Sequence, residues 1–115
     1  MENNPKKIIY YGKPDGKSPF QEWLNNLKDR KARAKINARL TRVTLGNLGD
    51  YKSVGDGVCE LRINYGKGYR IYFAQVGTIV IILLCGGDKD SQPQDIQQAK
   101  QYWLDYKRSQ NSGNQ

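Results

Sequence analysis

The chain has no histidine at all, and only two cysteines and one methionine in 115 residues. Without histidine, Ser-His-Asp, Cys-His and paired-histidine nuclease chemistry are excluded, so any acid or base must be Lys, Arg, Tyr, Asp or Glu. Two cysteines make no disulfide framework, and without histidine they cannot complete a usual zinc site. They read as reduced thiols of a cytoplasmic protein, with no metal and no cofactor expected. Long apolar runs are missing too. The longest, Ile79 to Cys85, is far too short to span a bilayer, so no membrane-embedded role is expected. Met1-Glu2-Asn3-Asn4-Pro5-Lys6-Lys7 has no apolar stretch after its lysines, so no secretory signal is expected. Acidic residues are scarce: eleven Asp and Glu face nineteen Lys and Arg, a formal charge of +8. A surplus of that size in a small domain favours an anionic partner such as nucleic acid, an acidic protein or a lipid surface.

What is present reads as one α+β domain over residues 1–107, followed by a polar tail over 108–115 that is expected to be disordered. Ile8-Ile9-Tyr10-Tyr11 predicts a first strand, closed by Gly12 and Pro14. Ser18-Pro19-Phe20-Gln21 has the pattern of a capping box and predicts a helix to about Leu27. A second helix fits Asp29 to about Leu45, because Ala32, Ile36, Leu40 and Val43 recur at helical spacing before Gly46. Gly46 to Gly57, with four Gly, two Asp and a Ser, reads as a loop. From Val58 the period becomes two: Cys59, Leu61, Ile63 and Tyr65 alternate with Glu60, Arg62 and Asn64. Gly66-Lys67-Gly68 supplies a hairpin turn into a strand from Tyr69, and a turn near Gly77 leads to Thr78–Cys85. That last run is apolar on both parities and predicts a central strand covered on both faces. Gly86-Gly87-Asp88-Lys89 is expected to break it. A last helix from Ser91–Pro93 would bury Ile96, Ala99, Trp103 and Tyr106. The order is β-α-α-β-β-β-α, an α+β single domain.

Three groups of residues could carry chemistry. Gly12-Lys13-Pro14-Asp15-Gly16-Lys17-Ser18 has the outline of a phosphate loop. It has three residues between its glycines where four are needed, and one is a proline with no amide hydrogen. On the second helix, Lys31, Lys35, Arg39 and Arg42 fall within about an 80° arc. This is either a solvated face or a phosphate-facing RNA-binding stripe. A hairpin centred on Gly66 places Arg62 across from Arg70, Leu61 across from Ile71 and Cys59 across from Phe73. Opposed arginines destabilise a hairpin unless an anion lies between them. That anion is either an acid of the protein, such as Glu60 or Asp88, or a phosphate gripped by both guanidinium forks. Tyr72, opposite Glu60, offers a hydroxyl or a stacking ring, and Lys89 leaves the central strand at the adjoining edge.

At these residues the chain resembles the RelE/ParE superfamily of type II toxins, and within it the addiction-module killer proteins of the HigB-like and phage Gp49-like kind. The matching runs are Glu60-Leu61-Arg62-Ile63 through Gly68-Tyr69-Arg70-Ile71-Tyr72-Phe73, then Leu83-Leu84-Cys85-Gly86-Gly87-Asp88-Lys89. The likeness extends to Phe20-Gln21-Glu22-Trp23-Leu24, Gln92, Asp95-Ile96, Ala99 and Tyr102-Trp103, and so covers roughly residues 8–106. The resemblance implies a ribonuclease-like fold, with two N-terminal helices packed on an antiparallel sheet and a C-terminal helix, and a labile antitoxin partner, often with a helix-turn-helix domain. It also implies an endoribonuclease that cuts messenger RNA, in the best-studied branch on the translating ribosome. By motif, Arg70 matches that branch's arginine after Gly-Tyr, Arg62 falls near a basic position, and Lys89 falls where it places a further cation. A tyrosine used by that branch near the start of the last helix has no match; Asp95 lies there instead. The expected chemistry is metal-independent attack of a ribose 2′-hydroxyl on the adjacent phosphate, with Arg62 and Arg70 holding the developing charge and Lys89 or Lys67 moving protons. A sister branch with the same fold poisons DNA gyrase instead, so a non-catalytic toxin, or a degenerate RNA-binding relative, stands as the alternative.

Overall fold

The structure, a computed structural model, describes residues 4–113; the expectations for residues 1–3 and 114–115 lie outside it. The elements in chain order are β1 (Lys7–Tyr10), α1 (Pro19–Asn26), α2 (Arg30–Thr44), β2 (Tyr51–Gly55), β3 (Val58–Ile63), β4 (Tyr69–Val76), β5 (Val80–Asp88) and α3 (Gln92–Gly113). The strands form one sheet in the order β1-β5-β4-β3-β2. β2 to β5 run antiparallel to their neighbours, whereas β1 pairs parallel with β5, so the expected antiparallel sheet is a mixed one.

Local sequence sets the helix starts. The Ser18 hydroxyl accepts the Gln21 N–H at 3.2 Å with Pro19 in the first turn, and an Asp29 carboxylate oxygen accepts the Ala32 N–H at 3.1 Å. α2 then buries Ala32, Ile36, Leu40 and Val43 against Leu61, Ile63, Ile71, Phe73, Ile81 and Leu83. α3 covers the opposite face, where Ala99 with half-buried Ile96, Tyr102, Trp103 and Tyr106 meets Val58, Tyr72, Ala74, Ile82 and Leu84. The α+β domain is therefore a sheet between two cores. Among the described residues no helix is long and apolar enough to cross a membrane.

Three elements depart from the pattern-based reading. The loop expected over Gly46–Gly57 contains the edge strand β2, whose residues are exposed at all positions but one. It has no buried alternation to betray it, because only one edge is paired. Gly86 and Gly87 do not break the central strand, which continues to Asp88. They are narrow points instead: a Cβ on Gly86 would overlap the Trp23 ring, and one on Gly87 would overlap the Asp95 carboxylate. α3 also continues to Gly113 through the segment expected as a tail from Arg108. Extending an existing helix costs far less than starting one, and nothing before Gly113 interrupts it. Gly86→Ala is accordingly expected to destabilise the domain by about 1–3 kcal/mol, because Trp23 must move. A urea midpoint equal to wild type would show that the ring yields freely.

Candidate functional site

The β3–β4 hairpin has the expected register, with Arg62 opposite Arg70 and Glu60 opposite Tyr72. Strand alternation sends all four side chains to the α3 face and Leu61, Ile63, Ile71 and Phe73 to the other. Glu60 stands at the centre of this group and is wholly buried. One carboxylate oxygen accepts the Tyr72 hydroxyl at 3.1 Å and the Gln92 amide at 2.6 Å. The other accepts the Arg62 Nε–H at 3.2 Å and lies 3.9 Å from Arg70 Nε. Burial alone would push the Glu60 carboxyl up. The bonds from Gln92, Arg62 and Tyr72, with the Arg70 charge, outweigh it and hold the group below its ordinary value. The anion between the two arginines is therefore one of the protein's own acids.

That arrangement corrects the role expected for Tyr72. It is fully buried and donates to Glu60, so its ring is closed to stacking; burial and the Glu60 charge push its hydroxyl far up and keep it protonated. Arg70 is also buried, gives an Nη1–H to the Tyr69 carbonyl at 3.1 Å, and has no hydrogen-bond partner for Nε. Arg62 is different. Its side chain is 32% exposed, and among the described residues only its Nε is engaged, which leaves both terminal nitrogens able to donate.

Lys89 is exposed on the turn after β5, and its stem runs over Gly68, where a Cβ would sit 2.9 Å from Lys89 Cδ and 3.5 Å from Arg70 Nη1. Gly68, at φ +76°, thus lets Lys89 approach the arginines. At this end of the sheet two guanidiniums, of Arg62 and Arg70, share one buried carboxylate, and the Lys89 stem passes beside Arg70 over Gly68. Lys67 does not join them: it lines a separate groove with Lys28, Asp29 and Tyr69 beside the α1–α2 connection.

The α2 stripe divides. Lys31, Lys35 and Arg42 are exposed, with the Lys35 ammonium 5.1 Å from the centre of the Tyr65 ring. Arg39 is not a free cation of that stripe. Its guanidinium donates to the carbonyls of Leu48 (3.1 and 2.9 Å), Asp50 (2.7 Å) and Arg62 (2.7 Å), which ties α2 to the chain entering β2. Burial and the neighbouring Arg42 charge lower its pKa, partly offset by Asp50. Backbone carbonyls around this irregular entry, that of Leu48 above all, supply the acceptors that turn a helix-surface arginine inward.

The sequence pattern placed Ser91 and Gln92 at the start of the last helix but gave neither a role at the site. Ser91, just before α3, donates to the Asp95 carboxylate and accepts the Asp88 N–H, while Gln92 reaches Glu60 from the first turn. A neutral amide at a helix start carries no pattern of its own. Asp95 is pushed up by burial, with Ser91 opposing and Asp88 adding to the rise. Burial raises the thiol of Cys59, and that of Cys85 to about 12, with Asp95 adding to the rise at Cys85, so neither is a thiolate near neutral pH.

The model of the family described as phage derived protein Gp49-like (DUF891) matches residues 22–103. An uncharacterised protein of Haemophilus influenzae Rd is 56% identical over 81 residues, which span 70% of this chain and 82% of that protein. The match takes in β3, β4, β5 and α3 as far as Trp103, and with them every residue that touches Glu60.

Proposed function

The chain belongs to the Gp49-like family of phage-derived proteins, a family of RelE-like toxins, and from that premise we propose that it is the toxin of a toxin–antitoxin pair and cuts RNA without a metal ion. The observation that carries this reading is the excess of cations over the single carboxylate at Glu60. The carboxylate orients Arg62 through Nε and leaves the guanidinium's terminal fork for an oxyanion. A scissile phosphate resting on Arg62, Arg70 and Lys89 would gain charge as the adjacent 2′-oxygen bonds to phosphorus. Fixed donors at that point lower the barrier without reorganising. The P–O5′ bond then breaks, leaving a 2′,3′-cyclic phosphate and a 5′-hydroxyl. The proton lost from the 2′-hydroxyl passes to solvent, and Lys89 supplies one to the leaving 5′-oxygen. Glu60 and Tyr72 take no part in proton transfer, because one is fully bonded and the other is locked onto it.

Purified chain is expected to cut single-stranded messenger RNA, free or on ribosomes, into fragments with 5′-hydroxyl ends, and equally well in a chelator. Dependence on magnesium, or 5′-phosphate ends, would overturn the mechanism. The deep burial of Arg70 and Tyr72 favours a second reading, a toxin that acts by binding DNA gyrase or another macromolecule. Expression would then cause DNA damage and filamentation with messages intact. RNA binding with neither effect would mark a degenerate relative. In each toxic case the partner is an antitoxin, often one with a helix-turn-helix domain, whose carboxylates or apolar helix cover the cationic surface.

A further inference from the structure

A cleft of about 570 Å³ opens between the β2–β3 turn and the outer flank of α3, away from the arginines, with Asp56, Lys100, Trp103, Leu104 and Lys107 in its walls. Trp103 lies stacked on Tyr106, with ring centres 5.7 Å apart and planes 12° from parallel. The edge of its indole rests on Gly57, where a Cβ would stand 2.8 Å from Nε1. Packing against the α3 core accounts for the inner part of this tryptophan. It does not account for the cations around the outer part. The Lys107 ammonium sits 5.2 Å from the centre of the indole, and the Lys100 ammonium lies 3.4 Å from the exposed Asp56 carboxylate.

We propose that this cleft is a second nucleotide-binding subsite, in which a base of single-stranded RNA stacks on Trp103 and a flanking phosphate pairs with Lys100 or Lys107. This inference rests on the RNA reading above and names a contact that reading does not contain. Three observations carry it. An indole flanked by lysines in an open cleft is the arrangement by which single strands are held without regard to sequence. Both lysines are available, because an ion pair with an exposed aspartate and an ammonium over a wet ring are weak attachments that a phosphate and a base replace. One helix, α3, also links the cleft to the arginine site. α3 starts at Gln92, which holds Glu60, and reaches Trp103 roughly 16 Å further along its axis. On the sheet side, exposed Lys52 pairs directly with Glu60 across β2 and β3, which places a further cation along the way.

The test is binding of a fluorescent oligoribonucleotide made uncleavable by 2′-O-methylation. Wild type should bind it with loss of tryptophan emission. Trp103→Ala should weaken binding about 5- to 30-fold, and Trp103→Phe should keep most of the affinity because a ring remains. Trp103→Ala removes packing as well, so Lys100→Glu and Lys107→Glu, on the cleft wall, serve as the independent arm. Each should reduce the salt dependence by about one phosphate's worth while the thermal midpoint holds. Wild-type binding that is matched by all four variants, with emission unmoved, overturns the subsite and leaves the RNA reading intact. Failure of wild type itself to bind RNA overturns both, and protection of the cleft by an acidic antitoxin peptide alone would reassign it.

Discussion

Glu60→Ala is expected to lower the thermal midpoint by roughly 12–20 °C. Arg70 is buried and Arg62 half-buried, and in wild type both are balanced by this one carboxylate. Removing it leaves two like charges facing each other across a hairpin, with the Gln92 amide and the Tyr72 hydroxyl stripped of their acceptor. Breaking a buried pair in this way typically costs about 3–5 kcal/mol. Glu60→Gln keeps part of the hydrogen bonding and should fall between the two. The pH dependence follows from the direction of the shift. The folded carboxyl sits below its ordinary value of 4.5, so its contribution is complete above that value and is lost as pH falls through the folded one. Asp95, raised by burial, works in the opposite sense. The gap in urea midpoint between wild type and Glu60→Gln should therefore close as the solution is acidified below the ordinary carboxyl value of 4.5 and through the lower folded one. A gap that persists unchanged into acid would mean that the Glu60 charge is not what holds the arginines.

Arg62→Ala is expected to reduce RNA cleavage at least about 100-fold while moving the thermal midpoint only a few degrees. The guanidinium is one-third exposed, and Glu60 keeps Tyr72, Gln92 and Arg70 when it is gone. The lost terminal fork would act on the phosphate alone. Arg62→Lys restores the charge without the fork and should recover only part of the rate. Arg70→Ala makes the contrast: that side chain is buried, so activity and midpoint should fall together and the result says little about chemistry. Rates for purified Arg62→Ala equal to wild type, with the midpoint held, would remove the arginine clamp from the mechanism.

The parts legible from sequence were those set by local chemistry. Ser18 and Asp29 cap the two helices as their neighbours require, and the α2 apolar stripe is buried residue for residue. The hairpin register followed from matching Leu61 to Ile71 and Cys59 to Phe73, and the opposed arginines came with it. Less legible were features that depend on what lies across space. β2 is an exposed edge whose pairing leaves no period, and the direction of β1 is set by a strand far along the chain. Gly86 and Gly87 look like a break in one dimension, but they make room for Trp23 and Asp95. For the site itself, composition left two anions open between the arginines, Glu60 or phosphate. Only burial distinguishes them, and Glu60 proves to be the constant one. Arg39 and Tyr72 lie deeper than their residue types suggest for a common reason: each has the chemistry of a ligand-binding group, and each is drawn inward by an acceptor of the protein's own.

The parallel pairing of β1 has a consequence for how the molecule comes into being. β2, β3, β4 and β5 are joined in succession by short turns, so their pairing can spread through nearby contacts. Lys7, by contrast, pairs with Val80. Synthesis proceeds at about 5–20 residues per second, so β1 waits several seconds for its partner strand to be made. Contacts so distant in the chain also close slowly, because the intervening loop must give up its freedom first. Until then the inner face of α2, with Ile36 and Val43, has an incomplete sheet beneath it. The earliest strand to be made is thus the last to find its place.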